Sequence, residues 1–348
     1  MKRILILGRV GCKNLGDAII IDTCEYALKQ LAEKNHKKIS ITALDMFSED
    51  KANIRRVIKD YDVVVFPGGG VNSLRFAKAA KTILKGNKTT QVFFNGNGIS
   101  KTNSDELKAL LMELMNDKNT VQVTTRGDFE TAKSYVTAEK KYPVEHILDP
   151  AIFSAQTYKI SRDKNSELIG VGLIRPEIFK ENGRDLEVDD VMKMYVELFD
   201  ELDKRGYKWE LFCNGTNADY NFAKSVLEES GRSVEKLAPQ PRKNKDLIKL
   251  VAKYKGIIAA RFHANIIATS LEVPNVALVW NDKMLGFAEL TGTSHRYICD
   301  KESLLNASRL ADVLEKGIEE GFDKNIIDKA KLKTKKEMAH ILGFCLFH

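Results

Sequence analysis

Few side chains in this sequence are placed to do chemistry, and most of them follow short apolar runs. The most informative segment is Arg261-Phe262-His263, which follows Gly256 to Ala260 and precedes the helical stretch Ala264 to Thr269. If the segment is extended, Arg261 and His263 share one side and Phe262 faces the other. A histidine at a helix start has its cation disfavoured by the helix dipole unless an anion is near. A bound dianion would restore the cation and make it a competent acid; the other reading is a histidine that only packs. Lys283 follows the run Val276 to Trp280. It is expected to converge with Arg261 and His263 from a neighbouring strand end, or else to be a surface lysine.

Arg126 follows Val121 to Thr125, with Asp128 two residues on. An arginine at a helix start does not complement the dipole there. It needs an anion, either Asp128 or a substrate carboxylate or phosphate that its fork can grip. Asn14-Leu15-Gly16-Asp17 lies after the first apolar run. Asn14 or Asp17 caps a helix and Gly16 allows a tight turn, or Asp17 serves a sugar hydroxyl as acceptor or base. Pro67-Gly68-Gly69-Gly70 follows Val63 to Phe66, and Asn95-Gly96-Asn97-Gly98 is a similar loop. Successive glycine N–H groups can converge on an anion, although turns use such runs too. Neither a Walker loop nor a Gly-x-Gly-x-x-Gly fingerprint on the first turn is present.

These residues need strands to hold them. Strand candidates run from Ile4, Ile39, Val63, Gln91, Val121 and Val144, with helical stretches between most of them. A second series starts near Leu168, Lys208, Gly256 and Asn275. The fold class expected is α/β, with two Rossmann-like domains facing a cleft. Ligands of such sheets bind beyond the carboxyl ends of the strands. The expected divisions are 1–160, 161–320, and a C-terminal helix over 321–348 that packs back on the first domain.

The chain has 348 residues, 43% hydrophobic and 30% charged, an ordinary globular balance. No apolar run approaches the ~20 residues that span a bilayer, and the N-terminus does not read as a signal peptide. Five scattered cysteines without a C-x-x-C pair argue against a disulfide framework or a zinc site and fit a cytoplasmic protein. Cys213 reads as a core residue. Net charge is +7, without the basic stripe interleaved with aromatics that nucleic acid would require. The densest basic patch is Lys329, Lys331, Lys333, Lys335 and Lys336. It is either a solvated helix face or a peripheral contact with an anionic surface at the inner face of a membrane.

In order along the chain, Asn14-Leu15-Gly16-Asp17, Gly68-Gly69-Gly70, Arg126-Gly127-Asp128, Asp149-Pro150, Arg261-Phe262-His263 and Lys283 resemble the polysaccharide pyruvyltransferase family. Phe262 stands where that family often has leucine. The resemblance implies a fold similar to the B-type glycosyltransferases, with the first domain on the acceptor side and the second on the donor side. It implies phosphoenolpyruvate as donor and co-substrate, and a sugar hydroxyl pair of a capsule, exopolysaccharide or cell-wall glycan or its precursor, lipid-linked or not, as acceptor. No metal and no further cofactor are implied. His263, Arg126 and Lys283 would be the critical set, with Arg261 at the donor site. Asp17 is the candidate base. Phe262, Asn14, Gly16, Gly68, Gly69, Gly70 and Asn97 are the candidate substrate contacts. Two rival readings are a nucleotide-sugar glycosyltransferase of the same fold and a non-catalytic scaffold of envelope assembly. Against the first, the only acid near His263 in sequence is Glu272, and Asp60-Tyr61-Asp62 precedes its strand, as a strand-entry turn would.

Overall fold

The computed structural model describes residues 1–48 and 50–346. The chain divides into two compact units. The first holds Met1–Cys12, Asp17–Ala151 and the residues from Asn325 onward; the second holds Lys13–Gly16 and Ile152–Lys324.

In the first unit, β1 (Lys2–Gly8), β2 (Ile39–Asp45), β3 (Val63–Pro67), β4 (Gln91–Asn97), β5 (Thr120–Thr125) and β6 (Glu145–His146) form one sheet. Its order is β2-β1-β3-β4-β5-β6, and every pairing is parallel. Parallel sheets are covered on both faces, which is why these strands read as unbroken apolar runs. Leu5 and Leu7 join Val64, Phe66, Val92 and Phe94 in one core. The alternate residues Ile4, Ile6, Val63 and Val65 are as deeply buried and point to the opposite face.

The second unit repeats the scheme. Strands β7 (Leu168–Gly172), β8 (Lys208–Phe212), β9 (Gly256–Ala259), β10 (Asn275–Leu278) and β11 (Tyr297–Ile298) lie in the order β11-β10-β9-β7-β8, again parallel. In both sheets the strand order reverses beside the first strand. At such a switch point, connections leave in opposite directions and open a crevice at the carboxyl ends. Gly68–Gly70 follow β3, at the β1/β3 switch point. Arg261 follows β9, at the β7/β9 switch point.

Several expectations are corrected. The strand expected over Val144 to Leu148 is only Glu145–His146, because the Leu148 N–H is donated to Thr334 Oγ1 of the last helix at 3.0 Å. β11 went unread because two residues carry no period. The first helix is Leu15–Lys34, which takes in Leu15, Gly16 and Asp17 of the first motif. The chain enters the second unit at Ile152 and not near 160, since the short helix Ser154–Tyr158 packs with that unit; Ala155 N donates to Ser270 Oγ at 3.0 Å. The last helix, Lys324–Ile341, begins slightly later than expected.

That helix buries Met338 completely in the first unit. Met338→Ala should cost about 2–5 kcal/mol through lost burial and a residual cavity. Urea unfolding followed by a first-unit probe checks this; an unchanged midpoint would contradict the packing.

Candidate functional site

The residues singled out from sequence fall into two sets, one on each unit. In the first unit the centre is Arg126, only 1% exposed, directly after β5. Its Nη1 donates to Asp149 Oδ2, and Asp149 is fully buried. The other Asp149 oxygen accepts from Ala151 N at 2.7 Å. Asp128 is not the partner. It caps the helix Phe129–Tyr135, accepting from Thr131 N at 2.9 Å and Thr131 Oγ1 at 2.6 Å. Burial pulls the Arg126 guanidinium down to about 9, and the Asp17 carboxylate opposes that. It is therefore still a cation at neutral pH.

The glycine loops pack around this pair. A Cβ on Gly68 would lie 2.9 Å from Asp149 Oδ2 and 2.7 Å from Ile20, and Gly68 has a φ of +48°. The Gly68 N–H donates to Asn95 O at 2.6 Å, and Gly98 N to Gly69 O at 2.7 Å. Asn97 Nδ2 donates to Gly68 O. Two of the N–H groups expected to face an anion thus clamp the loops to each other, and Asn97, 1% exposed, is part of that clamp. Asp17 lies in the first helical turn, not at a cap, 3.3 Å from Arg9. Arg9 and Arg75 lie over the Phe47 ring at 5.7 Å and 4.6 Å. Sequence reading missed both arginines, since neither sits in a motif. Asp60-Tyr61-Asp62 lies at the amino end of β3, where Asp62 accepts from Arg3 N at 2.7 Å.

In the second unit, Arg261 is the N-cap of the helix Phe262–Ser270, and His263 is in its first turn. The extended alternation expected there does not occur. Residues two apart on a helix do not share a face. Phe262 is 3% exposed and meets Phe287 edge-on at 5.7 Å, so it packs in the core. Arg261 Nε and Nη2 grip the fully buried Asp219 at 2.7 Å and 2.8 Å. The acid beside this segment is therefore Asp219, not Glu272. A contact across 42 residues leaves no local signal.

His263 is 7% exposed. Gly16 lies against it: a Cβ there would come within 2.5 Å of the imidazole Nδ1. Gly16 is helical and makes no turn; its value is that it lacks a side chain. Leu15 N donates to Asn214 O at 3.1 Å, which ties the segment carrying Asn14 to the end of β8. Lys283 begins the helix Lys283–Thr291, with its Nζ 4.3 Å over the Trp280 ring. Trp280 Nε1 donates to Ala260 O at 2.8 Å. One indole thus joins Lys283 to the strand end that bears Arg261 and His263. Asn265 donates to Ala259 O and Arg261 O and accepts from Asn275, locking the same strand ends. Among the described residues no group of three His, Cys, Asp or Glu side chains could hold a metal ion. None of their helices is long and apolar enough to cross a membrane.

Two parallel, doubly wound sheets with basic residues at the strand ends place the chain in the B-type glycosyltransferase fold class. MnaA of S. aureus, solved with UDP, aligns over 99% of this chain and 97% of its own, with TM-score 0.63 and 12% identity. The UDP-GlcNAc 2-epimerase of Methanocaldococcus jannaschii aligns over 99% of each chain, with TM-score 0.61 and 15% identity. A UDP-forming α,α-trehalose-phosphate synthase from Burkholderia vietnamiensis aligns over 98% of this chain and 97% of its own, with TM-score 0.54 and 10% identity. At these identities the likeness is one of fold. The chain belongs to the polysaccharide pyruvyl transferase family, whose model matches residues 14–282. No curated protein matches the sequence.

Three substitutions test the geometry. Asp149→Ala leaves a buried guanidinium without its carboxylate and should cost about 3–5 kcal/mol. Asp128→Ala, which removes only a helix cap, should cost about 1 kcal/mol. Equal effects in chemical denaturation would refute the pairing. Gly16→Ala should displace the imidazole or the segment, shifting the His263 ring resonances in NMR and costing about 1–3 kcal/mol by overpacking. Unmoved resonances would argue against the contact.

Proposed function

We propose that this transferase moves the pyruvyl group of phosphoenolpyruvate onto two hydroxyls of a sugar, as a ketal, and releases phosphate. The observation that carries the reading is the cluster on the second unit. His263, Arg261 and Lys283 follow adjacent strands β9 and β10, with Trp280 fixing their spacing. Asp219 engages two nitrogens of Arg261, which leaves Nη1 for a ligand.

Such a cationic cluster suits a small donor with both a carboxylate and a phosphate. His263 delivers a proton to the methylene carbon of phosphoenolpyruvate, since imidazole titrates near neutrality. Positive charge develops at the central carbon and a sugar hydroxyl attacks it. The C–O bond to phosphate breaks, and the second hydroxyl closes the ketal. The two hydroxyl protons balance the methyl proton and the one taken up by phosphate. Lys283 and Arg261 stabilise the departing phosphate and the carboxylate. The first unit, with Asp17 and the Gly68–Gly70 loop, is assigned to the sugar. Arg126 acts there as a positioning residue that holds the loops. No cofactor beyond the donor is needed. UDP, present in the S. aureus MnaA structure, names the competing ligand class.

The protein incubated with phosphoenolpyruvate and a glycan panel should release phosphate only with an acceptor. His263→Ala should slow that release by at least about 100-fold, the usual weight of a positioned acid. Calorimetry that finds UDP-sugar binding and no phosphoenolpyruvate binding would overturn the reading. Full activity of His263→Ala in this assay would remove His263 as the acid.

A further inference from the structure

The amino ends of β3 and β4 carry a feature that the transfer reaction does not use. The helix Lys51–Val57 buries Ile54, and the 3-10 turn Ile58–Asp60 buries Ile58. Ala52, Asn53, Arg55, Arg56, Lys59 and Asp60 of the same elements are exposed. The helix Leu74–Leu84 ends beside them, and Asn87 then fixes the next turn through Thr90 O at 2.7 Å and Thr90 N at 3.1 Å. These elements enclose a concavity of about 680 Å³. Arg55, Arg56, Lys59, Lys85 and Lys88 line it, and no carboxylate does. All five are exposed. Among the described residues none of them forms an ion pair.

Helix dipoles explain only part of this charge. Two helix C-termini end here, each worth roughly half a negative charge. Five whole cations exceed that several-fold. The lining has no aromatic ring on which a sugar or base could stack. What it offers is long, flexible, unpaired cations, which suit phosphate groups spread over a surface. The C-terminal lysines are a poorer candidate, because Lys333 is already paired with Glu145 at 2.7 Å.

We infer that this basic cradle on the first unit binds the headgroups of anionic phospholipids and holds the protein peripherally on a membrane. The Gly68–Gly70 loop follows the other end of β3. Five residues at ~3.3 Å each place it roughly 16 Å from the cradle. A protein bound in this way keeps its carboxyl-end loops off the lipid and open to glycan that extends from the surface.

The test is co-sedimentation of the full chain with phosphatidylcholine vesicles, with and without phosphatidylglycerol. The wild type should bind only the anionic vesicles, and added salt should release it. Lys59→Gln/Lys85→Gln/Lys88→Gln should lower partitioning by about 100-fold, at about five-fold per lysine. Lys329→Gln/Lys335→Gln/Lys336→Gln should leave it unchanged. Thermal melts of both variants should match the wild type, since the substituted side chains are not buried in the core. The inference fails if the cradle variant binds as well as wild type, or if wild type ignores phosphatidylglycerol. It also fails if wild type binds soluble polygalacturonate but no vesicles, which would assign the cradle to an acidic glycan. Partitioning is read without turnover, so this outcome and that of the transfer assay are independent.

Discussion

A charge that cannot reach water organises the rim of the first sheet. Arg126 is 1% exposed and Asp149 is fully buried. Desolvating such a pair costs several kcal/mol per ion, and only close, hydrogen-bonded geometry offsets it. That requirement reaches every loop at the carboxyl end of the central strands. Gly68 must lack a side chain to admit Asp149, and a Cβ on Gly98 would lie 3.4 Å from Arg126 Nε. Asn97 and Asn95 then bind the two glycine loops together. A hydrophobic pair of equal volume could be as stable. What the ion pair adds is a single arrangement of four loops.

The second unit solves a similar problem with different residues. Asp219 is fully buried and holds Arg261 through two nitrogens, while its Oδ1 also accepts from Arg175 N at 3.0 Å. Both sheets therefore end in an arginine oriented by a buried aspartate. The difference lies in access: Arg126 is sealed, whereas the Arg261 side chain keeps 16% exposure. Gly16 and Trp280 complete the second arrangement, the one by having no side chain against His263, the other by bridging two strand ends.

The cradle at the amino ends of β3 and β4 stands apart from both. Its cations are exposed and, among the described residues, form no ion pair, whereas Arg126 and Arg261 at the carboxyl ends are each paired with a buried aspartate. Opposite ends of one sheet thus carry two kinds of positive charge, and the spacing between them is the length of a strand.

The sequence alone determined most of the elements and their type. Buried parallel strands must be apolar throughout, so Val63 to Phe66 or Gly256 to Ala260 is legible without a structure. The unusual residues at the strand ends were legible too, because they come just after those strands: Gly68–Gly70, Arg126, Arg261, His263 and Lys283. Only the tertiary structure decided what these residues touch. Asp149, not Asp128, answers Arg126; Asp219 answers Arg261; Phe262 is core; and Gly16 yields space to His263, not a turn. Each of these depends on chain segments far apart in sequence. Periodicity and capping act within a few residues, so they carry no information about such a partner. Pairing of a buried charge is enforced by desolvation, which exists only once the fold has closed around it.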